Sequence, residues 1–369
     1  MKKQIRFIHQ NMALNTLCHD ICGRKRPTPM AGKPDGCIEV EESLQYQEGD
    51  VVIVTFPKTG TTLVQYMCHL LRTEGKHTQF EDIHQMCPHT SSAWFIGQDL
   101  NADQIARPRL FKSHRELSQV AAYTNGVKFI STIRDPLATL LSAYAFGKVR
   151  KSDREDASVL EFASSDKWSK EYNLGAISTI FEHFATFWQC RECSDFLLLP
   201  YEDLISDRPK WLVKIGQFMN IPSSSLTSEI IETISDLTSK ESMLVQVSKF
   251  DESWCKRERE RLARPHPIIK DIAAKVTSGH NHLLIEKTTT SSSSSSSSSQ
   301  SPDQHSKVDS SSSSSSSSTT EKVTAKLSVK EQLQALNDEL WREKVETVTG
   351  IRSYQEMRER LVSLHFPVS

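Results

Sequence analysis

The run Val51-Val52-Ile53-Val54-Thr55-Phe56 most limits how this chain can fold. Uninterrupted β-branched and aromatic residues, with no polar alternation, describe a strand buried on both faces. Such strands belong to parallel sheets covered by helices on either side. Directly after it come Pro57-Lys58-Thr59-Gly60-Thr61-Thr62, then Leu63-Val64, Met67-Cys68 and Leu70-Leu71 at helical spacing. The unit is strand, tight turn, helix, and it recurs. Lys128 to Ile133 predicts a second strand, followed by Arg134 and by Asp135-Pro136, an N-cap and a first-turn proline that open a helix through Leu137, Leu140, Leu141 and Tyr144. An aromatic helix carrying Phe181, Phe184, Phe187 and Trp188 leads into the strand Phe196 to Leu199 and then Pro200-Tyr201-Glu202-Asp203. Between the first two units, Arg109-Leu110-Phe111-Lys112-Ser113-His114 predicts a short strand ending in polar groups. This alternation predicts an α/β fold, P-loop-like, with three α/β/α layers around a central, mostly parallel sheet.

Charge and composition narrow the partners. With 45 Lys plus Arg against 46 Asp plus Glu, the chain has no global field to draw it onto nucleic acid or an anionic membrane. No stretch of about 18 apolar residues occurs, so no membrane span is expected, and the eight cysteines of so long a chain read as reduced thiols of a cytoplasmic protein. The basic N-terminus has no acidic residue before Asp20, a pattern also compatible with an organelle transit peptide. Cys190 and Cys193 form a C-x-x-C without a second pair and read as packed thiols near a helix end rather than a zinc site. Residues 1–46, polar and interrupted by Pro27, Pro29, Gly32, Pro34 and Gly36, read as an arm. Residues 47–369 read as one domain interrupted at about 288–320, where 20 of 33 residues are Ser and no core can form. Beyond that insertion, Ser328-Val-Lys-Glu331 and Ser353-Tyr-Gln-Glu356 have the capping-box pattern of helix starts. The block is therefore expected to be a disordered loop within the domain.

The chemistry gathers after the strands. A turn between a buried parallel strand and a helix N-terminus offers backbone N–H groups and a helix dipole to an anion, and here Lys58 adds charge while Thr59, Thr61 and Thr62 add hydroxyls around Gly60. It is not the Walker pattern, because the Lys precedes the Gly. Arg134 repeats a cation at a strand's carboxyl end, with Ser142 about two helical turns on. Taken alone it is equally a local ion pair. His114, two residues after Lys112, stands where a general base would sit beside a cation. A single histidine is more often structural, and its place between two anion-binding units is what distinguishes this one.

In these motifs the chain resembles the cytosolic, nucleotide-sulfate-dependent sulfotransferases. Thr55-Phe-Pro-Lys-Thr-Gly-Thr-Thr62 is similar to the family's loop for the 5′-phosphosulfate, and Arg109 to His114 resembles the segment with its catalytic histidine. Arg134-Asp-Pro with Ser142 resembles the 3′-phosphate site, while Tyr201-Glu-Asp and Thr238-Ser239 with Met243 fall where the family contacts the nucleoside. The resemblance implies transfer of a sulfuryl group from 3′-phosphoadenosine 5′-phosphosulfate (PAPS) to a hydroxyl or amine of a small-molecule acceptor, with no metal. In that reaction His114 would act as general base, and Lys58 and Lys112 would stabilise charge on the departing bisphosphate.

The chain also departs from the family pattern. Leu63 stands where many members have a Trp, Lys240 where they have another aromatic, and the family's R-K-G loop has no clean counterpart, Lys275-Val-Thr-Ser-Gly279 being the nearest segment. Two other readings therefore stay open: a P-loop-type phosphotransferase requiring Mg²⁺ and ATP, and a family member that binds nucleotide without catalysis. Trp94-Phe95, and Phe146, are candidates for lining an acceptor pocket, whereas the aromatics from Phe181 to Trp188 read as core. The mixed-sign run Lys256 to Arg261 reads as a solvated helix face.

Overall fold

The structure, a computed structural model, describes residues 34–120, 126–149, 158–164, 177–264 and 327–367. The serine-rich insertion, Lys275, Cys18, Cys22 and the first 33 residues lie outside them. The principal elements in chain order are α1 (Gly36–Glu42), β1 (Val51–Val54), α2 (Thr61–Arg72), α3 (Ile83–Met86), α4 (Ala93–Ile96), β2 (Leu110–Ser113), β3 (Lys128–Ile133), α5 (Pro136–Val149), α6 (Ile177–Cys190), β4 (Phe196–Pro200), α7 (Tyr201–Ser206), α8 (Arg208–Phe218), α9 (Ser228–Leu237), α10 (Lys240–Val245), α11 (Ser253–Arg261), α12 (Val329–Leu340) and α13 (Tyr354–His365).

All four strands are parallel, in the order β2-β1-β3-β4, with Val54 opposite Ser113 and Ile133 opposite Pro200. Alternate residues of each strand go to opposite faces. Val51, Ile53, Leu110, Ile130, Leu197 and Leu199 pack with Val64 and Leu70 of α2 and with Trp211 and Leu212 of α8. Val52, Val54, Phe111, Phe129, Phe196 and Leu198 pack on the other side with Leu140 of α5 and with Phe181, Phe184 and Phe187 of α6. Two apolar layers on one sheet give the three-layer architecture expected from the unalternated strands. The aromatics of α6 are core, as their spacing predicts.

The helix starts follow local chemistry. Asp135 caps α5 by accepting from the Ala138 N–H at 2.7 Å, and Pro136 occupies the first helical position. Ser328 and Glu331 form a complete capping box at α12, whereas at α13 Ser353 caps while Glu356 accepts from the Arg352 N–H instead of the Ser353 N–H. Leu333, Trp341, Val345, Met357 and Leu361 from this terminal segment enter the same apolar layer as α5 and α6. The six described cysteines are buried, Cys190 and Cys193 at the end of α6. The Lys256 to Arg261 run lies on α11 and pairs largely within itself, as Arg261 does with Glu258 at 2.7 Å.

Within the stretch read as an arm, residues Gly36–Glu42 form a helix with contacts to the folded body. Cys37 is buried, Leu44 joins the core, and Glu41 pairs with the buried Arg115, so a few well-placed contacts outweigh the polar composition. At the amino end of the sheet, Asp50 and Arg109 make a two-pronged buried ion pair at 3.0 and 2.6 Å that locks the entrances of β1 and β2 together.

Burial also sets a pH dependence. Desolvation pushes His365 down to about 4 and His69 down to about 3, from 6.5, and His365 Nε2 lies 2.8 Å from the Leu198 carbonyl of β4. Both rings stay neutral when folded, while the unfolded chain takes up protons below about 6.5. Stability therefore falls as pH drops through the window from 6.5 towards 4, and His365→Gln flattens this slope in urea denaturation midpoints measured across that range. An unaltered slope would contradict the assignment.

Candidate active site

Because the strands are parallel, their carboxyl ends share one edge, and the residue after each strand emerges there. His114 follows β2, Arg134 follows β3 and Tyr201 follows β4. The loop after β1, the strand flanked by β2 and β3, receives them. Thr55 offers its carbonyl to His114 Nδ1 at 2.9 Å. A carbonyl only accepts, so Nδ1 carries the proton and the lone pair of the neutral ring is on Nε2. Lys58 offers its carbonyl to Arg134 Nη1 at 2.9 Å, and the Arg134 guanidinium lies 4.7 Å from the centre of the Tyr201 ring.

Hydroxyls fix the loop from within. Thr59 Oγ1 donates to the Phe56 carbonyl and pairs with Thr132 Oγ1 of β3, both at 2.7 Å. Thr55 and Thr61 pair through their hydroxyls at 2.6 Å. The buried Thr59 hydroxyl is thus turned into the protein. The loop also bends through left-handed backbone at Lys58 (φ 71°) and Gly60 (φ 106°). A Cβ on Gly60 would stand 2.5 Å from Cδ2 of Tyr201, so this position is glycine for both conformation and space. Thr61 and Thr62 begin α2, whose first N–H groups have no intrahelical acceptor.

The flanking groups are held from several sides. Lys58 Nζ lies 4.0 Å from the centre of the Phe146 ring on α5, the helix that also carries the half-buried Ser142. Lys112 is buried within β2, where its N–H donates to the Pro88 carbonyl at 2.8 Å. Burial pushes the neighbouring Cys87 thiol up to about 12, opposed first by Arg72, then by the Gln65 hydrogen bond and by the Lys112 charge. The His89 ring stands edge-on to His114, centroids 5.3 Å apart. Behind Tyr201, Glu202 accepts from the Asp135 N–H at 3.0 Å and from the Tyr354 phenol, and Asp203 pairs with Arg358 at 2.5 Å, so α13 braces α7. Burial, then the Glu202 charge, pushes the Tyr354 phenol up.

The other expected residues are engaged in protein contacts. Thr238 is buried and donates its hydroxyl to the Ile234 carbonyl at 2.7 Å, closing α9. Met243 is buried in the apolar layer that contains α2. Phe95 is likewise buried, in a small cluster with Cys37, Ile96 and Cys255, and Trp94 packs beside it against Gly36 and under the Arg264 guanidinium. Leu63 is half-buried against the α2 layer, while Lys240 is exposed. Sequence reasoning missed Thr132 and His89, whose partners lie 73 and 25 positions away, and no local pattern marks either.

An open parallel sheet that gathers lysine, arginine, histidine and a left-handed turn over a helix start defines a P-loop-like α/β protein. Residues 48–263 match the family model described as sulfotransferase domain, and the chain belongs to that family. It is 30% identical over 196 residues to the 3-beta-hydroxysteroid sulfotransferase of Cavia porcellus, covering 52% of this chain and 66% of that protein. It is also 30% identical over 203 residues to sulfotransferase 2A6 of Rattus norvegicus, covering 52% and 67%. The chain thus spans about two thirds of the length of these curated relatives. Among solved structures, retinol dehydratase in complex with androsterone and inactive cofactor PAP aligns with a TM-score of 0.49 at 16% identity, over 69% of this chain and 81% of that one.

The double constraint on Gly60 is testable. Gly60→Ala places a side chain in left-handed backbone, a cost of about 1–2 kcal/mol, and drives it into the Tyr201 ring. The urea midpoint is expected to fall, and Gly60→Ala with Tyr201→Ala to recover the steric part only. An unchanged midpoint in the single variant would contradict this geometry.

Proposed function

We propose that this protein transfers a sulfuryl group from PAPS to a hydroxyl or amine of a small-molecule acceptor, with His114 as general base. The observation that carries the reading is the bond from His114 Nδ1 to the Thr55 carbonyl, which fixes Nε2 as the basic nitrogen beside the Lys58 loop. Membership of the sulfotransferase family supports the reaction class.

The residues present fit an anionic nucleotide. The left-handed turns at Lys58 and Gly60 and the start of α2 suit a phosphate, and the flat approach left by Gly60 lets backbone come close. When bound, PAPS supplies an activated sulfuryl group and leaves as the 3′,5′-bisphosphate. Lys58, with Thr61 and Thr62 and the N–H groups of Thr59 and Gly60, holds the 5′ end. Arg134 and Ser142 hold the 3′-phosphate, with Tyr201 keeping the guanidinium flat. His114 takes the acceptor's proton on Nε2 and donates from Nδ1 to Thr55 throughout, so the ring does not reorient between the neutral and charged forms. Lys58 and Lys112 offset the charge that develops as the bisphosphate departs. Thr238 and Met243, both buried, supply nucleoside contacts. No helix of the described residues is long and apolar enough to cross a membrane, and the buried thiols suit a cytoplasmic setting.

Transfer of labelled sulfuryl from PAPS to a panel of hydroxyl and amine acceptors tests the proposal. Turnover without added metal on at least one acceptor is expected, falling about 10²- to 10⁴-fold in His114→Ala while that variant keeps its fold by circular dichroism. Equal turnover in His114→Ala would remove the base from the mechanism.

A further inference from the structure

Away from this edge, Asp82, His84 and Cys255 meet in the interior. Asp82 caps α3 by accepting from the His84 N–H at 2.8 Å, and Cys255 sits in the first turn of α11. Their exposures are 0, 3 and 4%, and one ligand atom from each lies within 4.8 Å of the others. His84 Nδ1 is 2.7 Å from Asp82 Oδ1 and 3.5 Å from Cys255 Sγ.

We propose that Asp82, His84 and Cys255 form a binding site for a divalent transition-metal ion of the zinc class, with water completing the tetrahedron. The donor set is carboxylate, imidazole and thiol, which suits zinc or cobalt and not the oxygen-only preference of magnesium or calcium. Two ligands on a tetrahedral ion at about 2.0–2.3 Å stand roughly 3.5 Å apart, the observed separation of the histidine nitrogen and the cysteine sulfur. The carboxylate and imidazole, now in hydrogen-bond contact, open by less than about 1 Å to admit the ion. Binding displaces the Cys255 thiol proton to solvent and moves the His84 proton from Nδ1 to Nε2, so one proton leaves per ion. Thiolate, carboxylate and a doubly charged cation then sum to zero, which suits so buried a place.

The position gives the ion a structural role. It joins α11 to α3, and the chain leaving α3 supplies the Pro88 carbonyl that pairs with Lys112 and the His89 ring that packs on His114. A clamp here braces the active-site edge from behind without touching the reacting atoms. The site is distinct from Cys190 and Cys193, which lie at the end of α6.

Untagged full-length protein, stripped with chelator and titrated with Co²⁺ alone, is expected to develop a thiolate-to-cobalt charge-transfer band and tetrahedral visible bands, saturating at one ion per chain. Cys255→Ser loses the charge-transfer band, and His84→Ala binds Co²⁺ at least tenfold more weakly. Zinc-edge X-ray absorption on the wild-type protein needs no variant and is expected to show one sulfur at about 2.3 Å with lighter atoms. No band in the wild type, a band that persists in Cys255→Ser, or two sulfurs on zinc would overturn the proposal.

Discussion

Two carbonyl groups, those of Thr55 and Lys58, organise the functional edge of this protein. They accept from His114 and Arg134, which leave the strands on either side of β1, so a single loop sets the positions of the imidazole and of the guanidinium. Bonds of this kind that involve a charged group contribute about 1.5–3 kcal/mol each. The loop can act as such a reference because its own hydroxyls are satisfied inside, Thr59 on Phe56 and Thr132 and Thr55 on Thr61. The opposite edge of the sheet is closed by the Asp50–Arg109 pair. The proposed site thus falls at the carboxyl ends of the strands, where open parallel α/β sheets bind their ligands.

What could be read from the sequence was what local signals carry. The β-branched run at Val51, the Asp135-Pro136 helix start and the capping pattern at Ser328 each depend on a few neighbouring residues, and each element formed where expected. The candidate residues Lys58, Gly60, His114, Arg134 and Tyr201 were visible because parallel topology sends every strand end to the same edge. Their mutual arrangement was not. That Tyr201 covers Gly60, that Phe146 holds the Lys58 ammonium and that Thr59 turns inward are pairings across long stretches of chain, decided by packing rather than periodicity. The same holds for α1, whose polar sequence hides the Glu41–Arg115 pair, and for Cys255, which meets His84 across 171 positions.

The side chains at the proposed nucleoside positions differ in kind from those at the proposed phosphate positions. Leu63 is half-buried in the α2 layer, Lys240 is exposed, and Thr238 and Met243 are engaged in protein contacts, so no stacked aromatic pair is on offer at these four places. The groups proposed to face the phosphates, by contrast, are tied to the loop, Arg134 through the Lys58 carbonyl. On this account the free energy of nucleotide binding comes chiefly from Lys58, Arg134 and the turn between β1 and α2, with a smaller share from the base.

Calorimetric titration with 3′-phosphoadenosine 5′-phosphate, without added metal, tests this most directly, on the wild-type protein and on Lys58→Ala and Arg134→Ala. The account predicts micromolar binding by the wild type and a loss of at least about tenfold, or ~1.4 kcal/mol, in each variant. Failure of the folded wild-type protein to bind, or binding indifferent to both substitutions, would contradict it.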